Sequence, residues 1–188
     1  MNLPNAITLS RLLVTAAVFV CLETMTDPGR PPTLAAWLAF AMFMFAALTD
    51  FLDGYLARKY GQVTAFGRVA DPFADKVLTA GTFVCLLRFP IALQVLTNWY
   101  VVVVLAREFL VTAVRGLVEA SGRPFPADRL GKWKMVAQCW TCAALLTMVA
   151  GTDFWVWAAQ IGYWSSLLLT VVSGVNYVWK ARAVLFAR

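Results

Sequence analysis

Six long, largely apolar stretches separated by short turn signals constrain this chain more than any other feature. About 20 apolar residues are needed to cross the hydrocarbon core of a bilayer. Segments of that order occupy residues 7–25, 34–57, 71–89, 99–119, 130–150 and 154–179. Between them lie helix-ending signals: Asp27-Pro28-Gly29-Arg30-Pro31-Pro32, Tyr60-Gly61, Pro90, Ser121-Gly122-Arg123-Pro124 and Gly151-Thr152-Asp153. The expectation is an all-α, polytopic membrane protein, a bundle of six transmembrane helices forming one domain over residues 1–188. Composition agrees: 61% of residues are hydrophobic and 14% charged, against roughly 45–50% and 25% in soluble domains.

The rest of the composition narrows the chemistry. With no histidine in the chain, His-based triads, His nucleophiles and His-ligated metals are excluded. Cys139 and Cys142 have C-x-x-C spacing, but without a second pair or a histidine zinc is not expected, and all four cysteines read as packing residues. The first five residues carry no basic region, and no small-residue cleavage site follows the first apolar stretch, so the N-terminus is expected to be retained.

Lys and Arg placement orients the spans. Of the 16 basic residues, Arg30 and Arg88 fall in loops on one side and Arg107 inside the fourth span. The other thirteen lie on, or lean toward, the side shared by both termini. That side is expected to be cytoplasmic in a bacterial membrane. The net charge of +6 then belongs mostly to one face, suited to anionic lipids and phosphorylated substrates. Because the charges flank apolar spans, no nucleic-acid partner is expected.

Charges inside spans are costly and usually functional, and the second and third spans hold four aspartates. The stretch reads Asp50-x-x-Asp53-Gly54-x-x-Ala57-Arg58, eight residues, then Gly67-x-x-x-Asp71-x-x-x-Asp75. At about 100° per residue, Asp50, Asp53, Gly54, Ala57 and Arg58 share a helix face about 140° wide. Gly67, Asp71 and Asp75 follow i, i+4, i+8 spacing on the next helix, with Pro72 taken as part of that helix's opening turn. Counted from the opposite surface, Asp50 and Asp53 lie at about 24 and 28 Å, and Asp75 and Asp71 at about 20 and 26 Å. Four carboxylates at one level cannot all stay ionised unaided in a low dielectric. A hard divalent cation resolves the repulsion, Mg²⁺ by default and Mn²⁺ as the alternative. Gly54, Ala57 and Gly67 leave space for close helix packing or for a phosphate or nucleotide. The competing structural explanation is a packing seam in which Arg58, Arg68 and Lys76 pair with the acids.

Position for position, this stretch resembles the D-x-x-D-G-x-x-A-R-x8-G-x3-D-x3-D signature of the CDP-alcohol phosphotransferases. Further segments are similar to the branch that joins CDP-diacylglycerol to glycerol 3-phosphate. These are residues 3–11, Ala106-Arg107-Glu108-Phe109 with Arg115, and Gly131-Lys132-Trp133-Lys134 with Gln138. The resemblance implies transfer of a phosphatidyl group to the glycerol 3-phosphate hydroxyl with release of CMP, and a homodimer in the bilayer. It implies Asp50, Asp53, Asp71 and Asp75 as metal ligands, Asp75 also as general base, and Gly54, Ala57, Arg58 and Gly67 along the CDP pocket. A phosphorylated acceptor needs cations, for which Arg107, Arg115, Lys132 and Lys134 are the candidates and Arg11 and Lys76 secondary ones. Arg107 has an alternative as the partner of Glu108, and the two lysines as interfacial snorkelling residues. Trp99, Tyr100, Trp155 and Trp157 read as an aromatic belt.

Two rival functions stay open on sequence grounds. A cardiolipin, phosphatidylinositol-phosphate or phosphatidylserine synthase would share the signature and differ in its acceptor pocket. A divalent-cation transporter would use the aspartates for translocation, which midplane acids would favour.

Overall fold

The computed structural model describes residues 3–25, 27, 29, 33–60, 65–122 and 128–185, with side chains at 9–25, 27, 29, 33–49, 73–122, 128–152 and 154–182. Among these residues the chain is all-helical: α1 (Leu3–Glu23), α2 (Thr33–Tyr60), α3 (Ala65–Leu86), α4 (Asn98–Ala120), α5 (Arg129–Val149) and α6 (Val156–Leu185). Two short 3₁₀ turns, Ala92–Gln94 and Asp153–Trp155, complete it.

Local chemistry sets the helix ends. Thr97 caps α4, its hydroxyl accepting the Tyr100 amide at 3.2 Å. Gly151, at φ +93°, closes α5: its amide bonds the Met148 carbonyl and the Thr152 amide the Thr147 carbonyl. That is the paired-bond ending a left-handed glycine permits. α1 starts at Leu3 and not at residue 7, because Pro4 falls in the first turn, where its missing amide forfeits no bond. The larger correction is α3. Its first residue is Ala65, so Pro72 is its eighth residue and not part of an opening turn. One lost backbone bond does not stop a helix continuous on both sides.

Packing divides the bundle into two halves. α5 lies against α6 and α2, α1 against α2 and α3, and α4 against α6. One half joins the C-terminal parts of α1, α3 and α5 to the N-terminal parts of α2, α4 and α6. It holds the apolar core, including Leu22, Phe43, Phe83, Leu86, Phe89, Leu96, Leu145 and Leu146, all essentially inaccessible. Arg88 locks its rim, donating to the Glu23 carboxylate and carbonyl (both 2.8 Å) and to the Met25 carbonyl at the exposed end of α1. Gly162 brings α6 close to α5, for a Cβ there would lie 2.7 Å from Thr141 Oγ1 and 3.2 Å from its Cα.

Tyr100, expected in an aromatic belt, is 1% exposed. It stacks on Tyr163 and bonds Ser166 at 2.7 Å, because its position on α4 faces the bundle. Trp99 and Trp157 are exposed (77% and 76%). The four cysteines are free, with Cys142 buried.

Outward faces carry large apolar side chains along the helices, among them Leu13, Phe45, Phe109, Trp133, Leu168 and Trp179. Among the described residues one segment, Val156–Arg182 (27 residues), is long and apolar enough by itself to cross a membrane, and Thr33–Thr49 is apolar but shorter. Charges inside α4 and α5 lower their apolar character.

Candidate active site

The other half of the bundle opens into a cavity of about 280 Å³ lined largely by charged and polar residues. α3 supplies Asp75, Lys76 and Thr79, and α4 supplies Arg107, Glu108, Val111 and Arg115. Asp128 at the head of α5 lines it with Gly131, Lys132, Lys134, Met135 and Gln138, and Tyr177 closes it from α6. All four cations expected from sequence to face a phosphorylated acceptor thus share one cavity with Asp75.

Asp75 is held from α1. Arg11, 4% exposed, donates from Nη1 to Asp75 Oδ1 at 2.8 Å, and its own carbonyl accepts the Thr15 hydroxyl. Burying an arginine beside a carboxylate is costly unless the pair is well formed, so this contact fixes the carboxylate's place on the wall. Arg11 was only a secondary candidate in the sequence; here it positions the acid.

Glu108 organises the cations. Its Oε1 accepts from Arg107 Nη1 at 3.1 Å and pairs with Lys134 Nζ. Arg107 Nη2 also donates to Ser173 Oγ at 3.0 Å, and its guanidinium lies 5.6 Å from the Tyr177 ring centroid. The pairing of Arg107 with Glu108 is therefore real, but it does not consume the site's charge. Five cations, Lys76, Arg107, Arg115, Lys132 and Lys134, face three acids, Asp75, Glu108 and Asp128. Nε of Arg107 and of Arg115 are buried without a hydrogen-bond partner among the described residues; Arg115 Nε stands 3.6 Å from Glu119 Oε1. Lys134, at 6% exposure, does not snorkel, whereas Lys132 is exposed. Lys76 Nζ meets Thr112 Oγ1.

At the mouth, Asp128 joins α5 to α6. Its amide donates to the Tyr177 hydroxyl at 3.0 Å, while its carboxylate accepts from Asn176 and from Lys180 at 3.1 Å. The Lys180 ammonium holds the Asp128 carboxyl below the usual carboxylate range. Asp128 and Tyr177 escaped sequence reading: one resembles a helix cap, the other an interfacial tyrosine.

Asp50, Asp53, Gly54, Ala57 and Arg58 fall in the last part of α2, and Gly67 and Asp71 in the first turns of α3. Their side chains lie outside the described residues, so the convergence of the four carboxylates does too. The backbone does preserve the spacing that convergence requires. α2 and α3 are unbroken across these positions and pack on each other, which keeps Asp50 with Asp53, and Asp71 with Asp75, within one turn. Oxygen donors on two adjoining helices, one already on a cavity wall, fit a hard divalent cation.

A helical bundle with a cation-lined cavity beside an aspartate-bearing helix pair is the arrangement among the described residues. The profile of the CDP-alcohol phosphatidyltransferase family matches residues 1–172, and the chain belongs to that family. Curated relatives named CDP-diacylglycerol--glycerol-3-phosphate 3-phosphatidyltransferase include those of Bacillus subtilis, 36% identical over 95% of this chain and 94% of the relative, and Rickettsia felis, 32% identical over 94% and 93%. The Pseudomonas fluorescens relative of that name is 35% identical over 96% and 90%.

Proposed function

We propose that this chain transfers a phosphatidyl group from CDP-diacylglycerol to glycerol 3-phosphate, releasing CMP and forming phosphatidylglycerolphosphate. The observation that carries the acceptor is the cavity, where a surplus of cations surrounds Asp75. Five cations against three acids along the lining leave a positive surplus that a phosphomonoester matches and a neutral acceptor does not.

In this reading Arg107, Arg115, Lys132 and Lys134 hold the acceptor's phosphate and direct its free hydroxyl toward Asp75. The Asp75 carboxylate, oriented by Arg11, accepts the hydroxyl proton as the oxygen attacks the phosphatidyl phosphorus. The new P–O bond forms as the bond to CMP breaks, and CMP leaves with the bonding electrons. Gly54, Ala57, Arg58 and Gly67 line the cytidine-diphosphate side, and Asp50, Asp53, Asp71 and Asp75 hold a divalent cation, Mg²⁺ by preference. When bound, that cation supplies neutralisation of the pyrophosphate charge.

The protein is read as one six-span domain, with termini, cavity and basic loops on the cytoplasmic side and a second copy as partner in the bilayer. Support comes from the exposed apolar exterior and the one-sided Lys and Arg. A cysteine introduced at Gly151 should react with an impermeant thiol reagent from outside, and one at Gly122 only after permeabilisation; the reverse would invert the orientation.

CMP release from CDP-diacylglycerol by purified protein, followed across glycerol 3-phosphate, inositol phosphate, serine and phosphatidylglycerol, tests the activity. The expected result is metal-dependent release with glycerol 3-phosphate alone. Preference for another acceptor moves the chain to a different branch, and cation flux without CMP release makes it a transporter.

A further inference from the structure

The part of the cavity least explained by its charges is Tyr177, a 5%-exposed side chain that bears none. It touches two walls at once. Its ring faces the Arg107 guanidinium of α4 at 5.6 Å, within the range where an aromatic face attracts a cation. Its hydroxyl accepts the Asp128 amide at the head of α5. Its neighbours on α6 reinforce the second contact, for Asn176 and Lys180 both reach the Asp128 carboxylate. Ser173, one turn back, holds the far side of the same guanidinium. Gly174 lets the arginine stem lie against α6, where a Cβ would stand 3.2 Å from Arg107 Cγ.

Resting on the function proposed above, we infer that Tyr177 is a positioning residue that sets the spacing of the acceptor-binding cations. From Asp128, α5 runs directly into Lys132 and Lys134, and Lys134 returns to Glu108 beside Arg107. The loop of contacts from Arg107 through Tyr177, Asp128, α5, Lys134 and Glu108 back to Arg107 is closed. A phosphomonoester bound between α4 and α5 therefore meets cations whose separation depends on a phenol from α6 that ties Arg107 to the head of α5. Tyr177 does not contact the reacting atoms in this scheme; it acts through Arg107 and through the head of α5.

A merely structural tyrosine would change stability and leave the two substrates alike, whereas a positioning tyrosine separates them. Tyr177→Phe keeps the ring and deletes the hydroxyl. It should raise KM for glycerol 3-phosphate about 2- to 10-fold, the value of one net hydrogen bond, with KM for CDP-diacylglycerol and kcat unchanged. Tyr177→Leu also removes the aromatic face and should raise the same KM further, with the phenylalanine variant intermediate. Arg107→Gln is the reference: a raised glycerol 3-phosphate KM there supports the proposed function itself. If Arg107→Gln raises that KM and neither Tyr177 variant does, the inference fails and the function stands. If Arg107→Gln leaves it unchanged, both fail. Equal increases in both KM values, or a lower melting temperature with unchanged KM, also overturn the role.

Discussion

The two halves of this bundle are built from the same six helices and solve opposite problems. In the packed half, facing residues are Leu, Phe, Ala and Val, and the few polar groups satisfy one another, as Tyr100 does with Ser166. In the cavity half the apolar cluster among the described residues is small, Val114, Val118 and Ala181, and buried charged side chains, Arg11, Arg107, Glu108 and Lys134, take up space between helices. One half is stabilised by contacts that want no ligand. The other keeps charges at close quarters whose surplus a ligand would complete. A helix bundle can hold such a site only because rigidity is supplied elsewhere along the same helices.

The sharpest way to break this division is to change one atom type in the cavity. Asp75→Asn preserves shape but cannot take up a proton. Loss of a positioned general base lowers turnover by about 10²–10⁴-fold. Steady-state kinetics with both substrates should show that loss in kcat, with KM for CDP-diacylglycerol nearly unchanged, while the melting temperature falls because buried Arg11 loses its charged partner. Turnover close to the parent's would remove Asp75 as the base.

The converse experiment belongs in the packed half. Phe83 is fully buried, edge-on to Tyr100 with centroids 5.0 Å apart. Phe83→Ala should cost about 3–5 kcal/mol through lost contacts and an unfilled void. A thermal-shift measurement in detergent should register this while both KM values hold. A selective rise in KM for glycerol 3-phosphate would mean that the halves are coupled and the division is false.

The same division separates what the sequence reveals from what it hides. Periodicity places α4 and α5 to within a residue, since Thr97 and the glycines at 122 and 151 are local signals acting where they stand. It misses the start of α3 by six residues, because proline inside a helix and proline opening one look alike in sequence. The cavity's cations are legible because charge in an apolar span is conspicuous. Their geometry is not: Glu108 serving two cations, and Arg11 reaching Asp75 across 64 positions, depend on tertiary packing. The hydroxyls of α6 are hidden most thoroughly. Tyr163, Ser166, Thr170 and Ser173 recur at helical spacing and each meets α4, its Thr97 cap or α5, yet within an apolar run a hydroxyl carries little signal.

The smallest effect expected lies at the boundary of the cavity half, where it meets solvent. Asp128 and Lys180 form an ion pair at 3.1 Å, but Lys180 is 51% exposed, so the pair has the value of a surface contact, about 0.2–1 kcal/mol. Lys180 holds the carboxyl of Asp128 below its ordinary range, and a carboxyl depressed in the folded state stabilises the fold only while ionised. The contribution is fully present above the unfolded-state value, about 3.9 for an aspartate, and disappears as pH falls through the lower folded-state value. Asp128→Asn should therefore lower the melting temperature slightly at neutral pH, and the gap between variant and parent should narrow in acid as the parent's carboxylate is protonated. Added salt should narrow it too, because an exposed pair is screened. A gap that stays constant from neutral pH into acid would assign the contribution of Asp128 to hydrogen bonding that asparagine cannot reproduce. The head of α5 would then be held by geometry alone, as the packed half is.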